Sequence, residues 1–264
     1  MTAIPRSYKT FYGVICAAAL LIGFLGYFSP ARLAEITSWL TLPPLHARFV
    51  GALYFYGAVF MAGCMLARQH AEVRYAMPMI AIWTGLLFVI SILSLSAFDL
   101  TLLPPWIWFA SYLIYPLIAL WFTWKQREMD NSISGEALPN WARNFLLVQG
   151  VVVGLFSLAL ILTPNLMVAL WPWKITPLLA QTYGGPLLAY AIGSYMFAQR
   201  GIWKAVRTVA PAMFVFAALV LLASIIHRDL FSMSELNDLV WFITFGVATV
   251  FLGLITFRVL TEKQ

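Results

Sequence analysis

Charge is what this chain has least of: 16 Lys and Arg and 10 Asp and Glu are spread over 264 residues, with three His and two Cys. With 62% apolar residues and a mean hydropathy of +0.88, too little polar surface remains to wrap a water-soluble globule. The scarcity also has a pattern. The long uncharged runs contain no buried charge, the usual mark of an ion or proton pathway, which weighs against ion-coupled transport. The three histidines, His46, His70 and His227, stand at run ends, so histidines placed to ligate a haem or chlorophyll are missing and no cofactor is expected. No group of residues has metal-ligand spacing, and no catalytic motif stands out.

What is present is a series of apolar runs. Lys9 to Arg32, Arg48 to Arg68, Arg74 to Asp99 and Asp99 to Lys125 bound four in the first half; Arg143 to Lys174, Lys174 to Arg200, Arg207 to Arg228 and Asp238 to Arg258 bound four more. Each can supply the roughly 20 residues that a helix needs to cross a hydrocarbon layer about 30 Å thick. Barrel strands would alternate over about 10 residues, whereas Val151 to Leu162 and Phe214 to Ile226 are continuous apolar blocks, so helices are expected. Phe11 to Phe28 is long for a signal core and no small-residue cleavage site follows, so it reads as the first span.

Lys and Arg set the orientation. Arg6, Lys9, Arg68, Arg74, Lys125, Arg127, Arg143, Arg200, Lys204, Arg207, Arg258 and Lys263 fall on one side, against Arg32, Arg48, Lys174 and Arg228 on the other. Both termini are therefore expected in the cytoplasm, with the protein in a plasma or bacterial inner membrane. The net charge of +6 reads as this bias, with membrane lipids as partners and no nucleic acid. Cys16 and Cys64 then lie in the cytoplasmic half of their helices, where thiols stay reduced and pack as small hydrophobes.

The halves resemble each other. At a separation of 134 residues Pro30 meets Pro164, Trp39 meets Trp173, Pro43 meets Pro177 and Gly51 meets Gly185; at 133, Arg74 meets Arg207, Pro78 meets Pro211 and Trp108 meets Trp241. A three-residue insertion in the last outer loop pairs Asp99 with Asp229, and His227 and Arg228 with Ala97 and Phe98. The fold class expected is all-α integral membrane: eight transmembrane helices as two parallel four-helix repeats, residues 1–128 and 144–264, joined by a cytoplasmic linker over 129–143. Short interfacial helices are expected after spans 1 and 5, over Ala31 to Leu40 and Asn165 to Trp173.

The stretch Trp39-Leu40-Thr41-Leu42-Pro43-Pro44-Leu45-His46-Ala47-Arg48-Phe49-Val50-Gly51-Ala52 is echoed by Trp171-Pro172-Trp173-Lys174-Ile175-Thr176-Pro177-Leu178. It resembles a recurring segment of bacterial multipass membrane proteins to which no activity attaches, and it covers about the outer third of each repeat.

The densest polar chemistry lies at the outer face, where His46, Arg48, Asp99, His227, Arg228 and Asp229 form the candidate cluster. Histidines beside carboxylates suit a metal or acid-base site; interfacial groups that cap helices and contact lipid phosphates have the same composition. Arg48 could pair with Asp99, Glu35 or a phosphate. Gly150 to Gly154 carries a close-packing motif for helices inside the monomer or across a homodimer. Two functions fit. The first is a noncatalytic scaffold, accessory subunit or lipid- or partner-binding protein; the second is an enzyme or carrier for a lipid-soluble small molecule, with a polar site at the outer face between the repeats.

Overall fold

The computed structural model describes residues 2–40 and 42–261; Thr41, in the motif-like stretch, and Lys263, in the charge count, lie outside the described residues. Helices account for 80% of the chain and no strand forms among the described residues. Twelve α-helices are described. In the first half they are α1 (Arg6–Phe28), α2 (Pro30–Ile36), α3 (Pro44–Leu66), α4 (His70–Val73), α5 (Ala76–Leu93) and α6 (Leu103–Lys125). In the second they are α7 (Asn140–Leu162), α8 (Pro164–Leu170), α9 (Pro177–Arg200), α10 (Trp203–Val206), α11 (Ala210–Ile226) and α12 (Leu236–Thr261).

Proline sets several of these beginnings. Pro30, Pro44, Pro164, Pro177 and Pro211 occupy the first turn of their helices, where the missing N–H costs nothing and the fixed φ favours the helix. Gly201, at φ 63°, terminates α9 in the left-handed conformation that glycine adopts without a Cβ penalty.

Six segments are long and apolar enough to cross a membrane: α1, α3, His70–Leu93, Leu103–Glu128, α7 and α12. The two other spans expected from charge spacing are helical but do not meet that measure. α11 has only 17 residues. α9 carries Gln181, Thr182, Gly184, Gly185, Pro186 and Ser194, and most of its length is buried. Its solvent is neighbouring protein, so it does not need the hydropathy that a lipid-facing surface demands.

The packing has an inner and an outer layer. α3 packs on α1 and α11, and α9 packs on α7 and α5; α6 and α12 flank α5 and α11. Small residues bring backbones together: a Cβ built on Gly26 would stand 2.7 Å from the Ala47 carbonyl oxygen, and one on Gly51 2.6 Å from the Tyr27 nitrogen. Gly150 plays the same part against α9, 3.0 Å from the Tyr195 nitrogen, so its close-packing motif is used inside the chain.

The elements recur at fixed separations. α1, α2 and the Ala3–Gln69 bridge reappear 134 or 133 residues on as α7, α8 and the Ala137–Ile202 bridge. Trp108 Nε1 donates to Ser91 Oγ at 2.8 Å, and Trp241 Nε1 to Ser224 Oγ at 2.9 Å. The 3-10 turns Leu95–Ala97 and Arg228–Leu230 also stand 133 apart without an insertion. That spacing sets Asp99 opposite Ser232, not Asp229, and His227 opposite Ser94.

Candidate functional site

The outer-face candidates are only partly brought together. Pro43 and Pro44 start α3 so that His46 and Arg48 fall in its first two turns, while His227 caps the end of α11. Because α3 and α11 are neighbours, Arg48 Nη1 donates to His227 Nε2. Arg48 thus meets an imidazole rather than either carboxylate suggested by the sequence. The bond needs a neutral ring, and the His227 pKa is lowered by burial and by the Arg48 charge, with Asp229 acting in the opposite sense. Tyr27 donates to the Leu219 carbonyl at 2.9 Å and ties α1 to the same helix pair.

The remaining candidates point elsewhere. His46 is buried, edge-on to Trp173 at 5.9 Å, and its Nδ1 has no protein partner among the described residues. Asp99 is exposed and accepts from Thr101 N at 3.0 Å and Thr101 Oγ1 at 2.6 Å, bonds that hold its carboxyl below the usual range. Arg228 and Asp229 lie on an exposed 3-10 turn. Among the described residues no three His, Cys, Asp or Glu stand together as metal ligands.

A separate feature is a cavity of about 360 Å³ in the first half, between α1, α2, α3, α5 and α6, with α9 as its inner wall. Its lining is apolar and aromatic, with Ile22 and Leu33 at one side, Trp83 and Tyr56 behind, and Trp108 and Tyr115 opposite. Among the described residues no charged side chain lines it, and none of the six outer-face candidates does. The most prominent polar feature is a pair of phenols, Tyr54 of α3 and Tyr112 of α6, whose hydroxyls hydrogen-bond each other. Trp39 closes one end, packed on Phe98 at 5.2 Å and Trp108 at 5.4 Å.

The matching sequence positions of the second half carry packed aromatic rings. Where the first half has Thr37 and Ile22, the residues 134 further on are Trp171 and Phe156. These two rings stack at 5.8 Å, and Trp171 also packs on Tyr183 and Trp241, each at 5.4 Å. Tyr54 and Tyr112 correspond to Leu188 and Phe245 at separations of 134 and 133, so the phenol pair belongs to the first half alone.

The structure also builds a cluster that the sequence reading left out. His70 is fully buried, its Nε2 hydrogen-bonded to Gln126 Oε1 at 3.2 Å, and Gln126 Nε2 donates to the Arg74 carbonyl at 3.1 Å. Tyr8 stacks on Phe122 at 4.2 Å and donates to its carbonyl at 2.9 Å. These bonds staple α1, α4 and α6 together at the end opposite Arg48. The local signal was the capping box between Gln69 and Glu72 that opens α4.

Comparison with protein-family models, curated proteins and solved structures finds no significant match for this chain.

Proposed function

We propose that this chain is an eight-span integral membrane protein, built from two parallel four-helix repeats, that binds a lipid-soluble molecule in the cavity of its first repeat. Both termini face the cytoplasm from a plasma or bacterial inner membrane. The recurrence of elements, backbone bridges and the Trp–Ser bond at constant separations supports the duplication. The Lys and Arg asymmetry supports the orientation.

The observation that carries the binding reading is the contrast between the two halves: one keeps a cavity of about 360 Å³ where the other places a tryptophan. Unfilled apolar walls forfeit dispersion contacts, so an apolar molecule that fills this space is stabilised by regaining them. The cavity volume lies within the range of small-molecule pockets. Arg48, His227 and the interfacial aromatics have a supporting role, locking α3 to α11 beside the cavity wall.

Native mass spectrometry of the protein released from lipid nanodiscs tests this. Wild type is expected to retain one small hydrophobic molecule per chain, and Thr37→Trp, which copies the second repeat, to retain none while keeping its helical content. Equal retention by both proteins, or retention by neither, overturns the binding reading. A stoichiometric protein partner without a small molecule would favour scaffolding instead. A tag fused after Gln264 should be unreachable from outside intact cells; labelling there would overturn the orientation.

A further inference from the structure

The phenol pair narrows the ligand class, an inference that rests on the binding reading above. Two hydroxyls that hydrogen-bond each other use one proton between them: one phenol donates, and the acceptor keeps a second O–H to give. Among the described residues neither Tyr54 nor Tyr112 makes any other hydrogen bond. In a low-dielectric wall that residual donor is costly to leave unmatched, and accepting the first bond polarises it into a stronger donor. Trp39, also part of the lining, has an indole N–H that is buried and likewise without a partner, and an indole can only donate.

Among the described residues, donors are therefore left unmet on this wall, the buried hydroxyls of Tyr56 and Tyr183 among them. A ligand that meets them offers an acceptor oxygen. It carries no net charge, because among the described residues no ionic side chain lines the cavity to compensate one. Trp83, Trp108, Tyr54 and Tyr112 supply ring faces and edges that favour a flat ring over a bare chain. We infer that the cavity takes an uncharged, ring-bearing lipophile with a carbonyl-type oxygen, and that the Tyr54–Tyr112 hydroxyl pair, placed on α3 and α6, hydrogen-bonds that oxygen.

The two phenols back each other up. Removing either leaves a hydroxyl with its proton free, so a single Phe substitution should weaken recognition only in part, and the double substitution should abolish it.

The test compares a radiolabelled 2-alkyl-1,4-naphthoquinone with the matching 2-alkylnaphthalene, which lacks the oxygens, on the full chain in nanodiscs. Wild type is expected to favour the quinone by about 2- to 12-fold, the worth of one net hydrogen bond. Tyr54→Phe and Tyr112→Phe each keep part of that preference. The combined Tyr54→Phe, Tyr112→Phe protein loses it while holding the naphthalene as wild type does. Binding of both probes without preference in wild type, or a preference that survives in the double variant, overturns the inference and leaves the cavity reading standing. Failure of both probes to bind overturns both.

Discussion

Gly51 offers a sharp test of how α1 and α3 meet. Its Cα faces α1 so closely that an added Cβ would lie 2.6 Å from the Tyr27 nitrogen and 3.0 Å from the Gly23 carbonyl oxygen. Both obstacles are backbone, so no side chain can swing away. Relief requires the helices to part by roughly 0.8 Å at this level, to reach an ordinary contact near 3.4 Å. That separation would loosen the Gly26–Ala47 approach one turn away and strain the Tyr27 bond to Leu219. Overpacking of this kind costs about 1–3 kcal/mol, and a backbone clash belongs at the upper end. Replacing a helical glycine by alanine returns about 1 kcal/mol. The net expectation for Gly51→Ala is a loss of about 2 kcal/mol, or a melting temperature lower by about 4–8 °C. Gly246→Ala in α12 is the control, because a Cβ there meets nothing within 4 Å. It should leave the melting temperature unchanged or slightly raised. The buried thiol of Cys64 makes the assay simple: a thiol-reactive fluorophore added during heating reports the loss of packing around α3. A Gly51→Ala protein that melts with or above wild type would refute the close approach of the two helices.

Other consequences follow from the same contacts. Ser91→Ala and Ser224→Ala each strand an indole N–H, so each should destabilise by about 1–3 kcal/mol, and by similar amounts if the two halves are built alike; thermal melts of the two variants compare them directly. Trp171→Thr should open in the second half the kind of void that the first half has, at a cost of about 3 kcal/mol, and increase the number of hydrophobic molecules retained in native mass spectra. The His227 pKa is lowered from 6.5, so the unfolded chain takes up the proton more readily. The contribution of this site is therefore complete above about pH 6.5 and is lost as the pH falls below that value toward the folded pKa. A pH series of melting temperatures should show this decline in wild type and a shallower one in His227→Gln.

The helical frame was legible because its signals are local. Charge spacing placed the long helices, and Pro30 and Pro164 marked the starts of the short helices α2 and α8 within a residue or two. α9 escaped the hydropathy measure for a tertiary reason: buried among α5, α7 and other helices, it can carry Gln181 and the Gly184-Gly185-Pro186 run without exposing them to lipid. The outer-face cluster was legible as composition but not as geometry. Arg48 and His227 are 179 residues apart and meet only because α3 packs on α11, while Asp99 is satisfied within its own loop. The cavity left no mark in either half taken alone. Its trace is a difference between them, Thr37 against Trp171 and Tyr54 against Leu188, where matching residues, not mismatches, had drawn attention to the repeat.

Whether a lipophile enters the first repeat can be read site by site by photolabelling. A diazirine-bearing alkyl ring ketone, irradiated with the protein in nanodiscs and mapped by peptide mass spectrometry, should modify Ile22, Trp83 and Trp108 on the cavity wall, and these labels should vanish in Thr37→Trp. Labelling confined to the exposed faces of the outer helices, at Leu117, Trp121 and Leu254, would show that the molecule meets this protein only as solvent and would contradict the account.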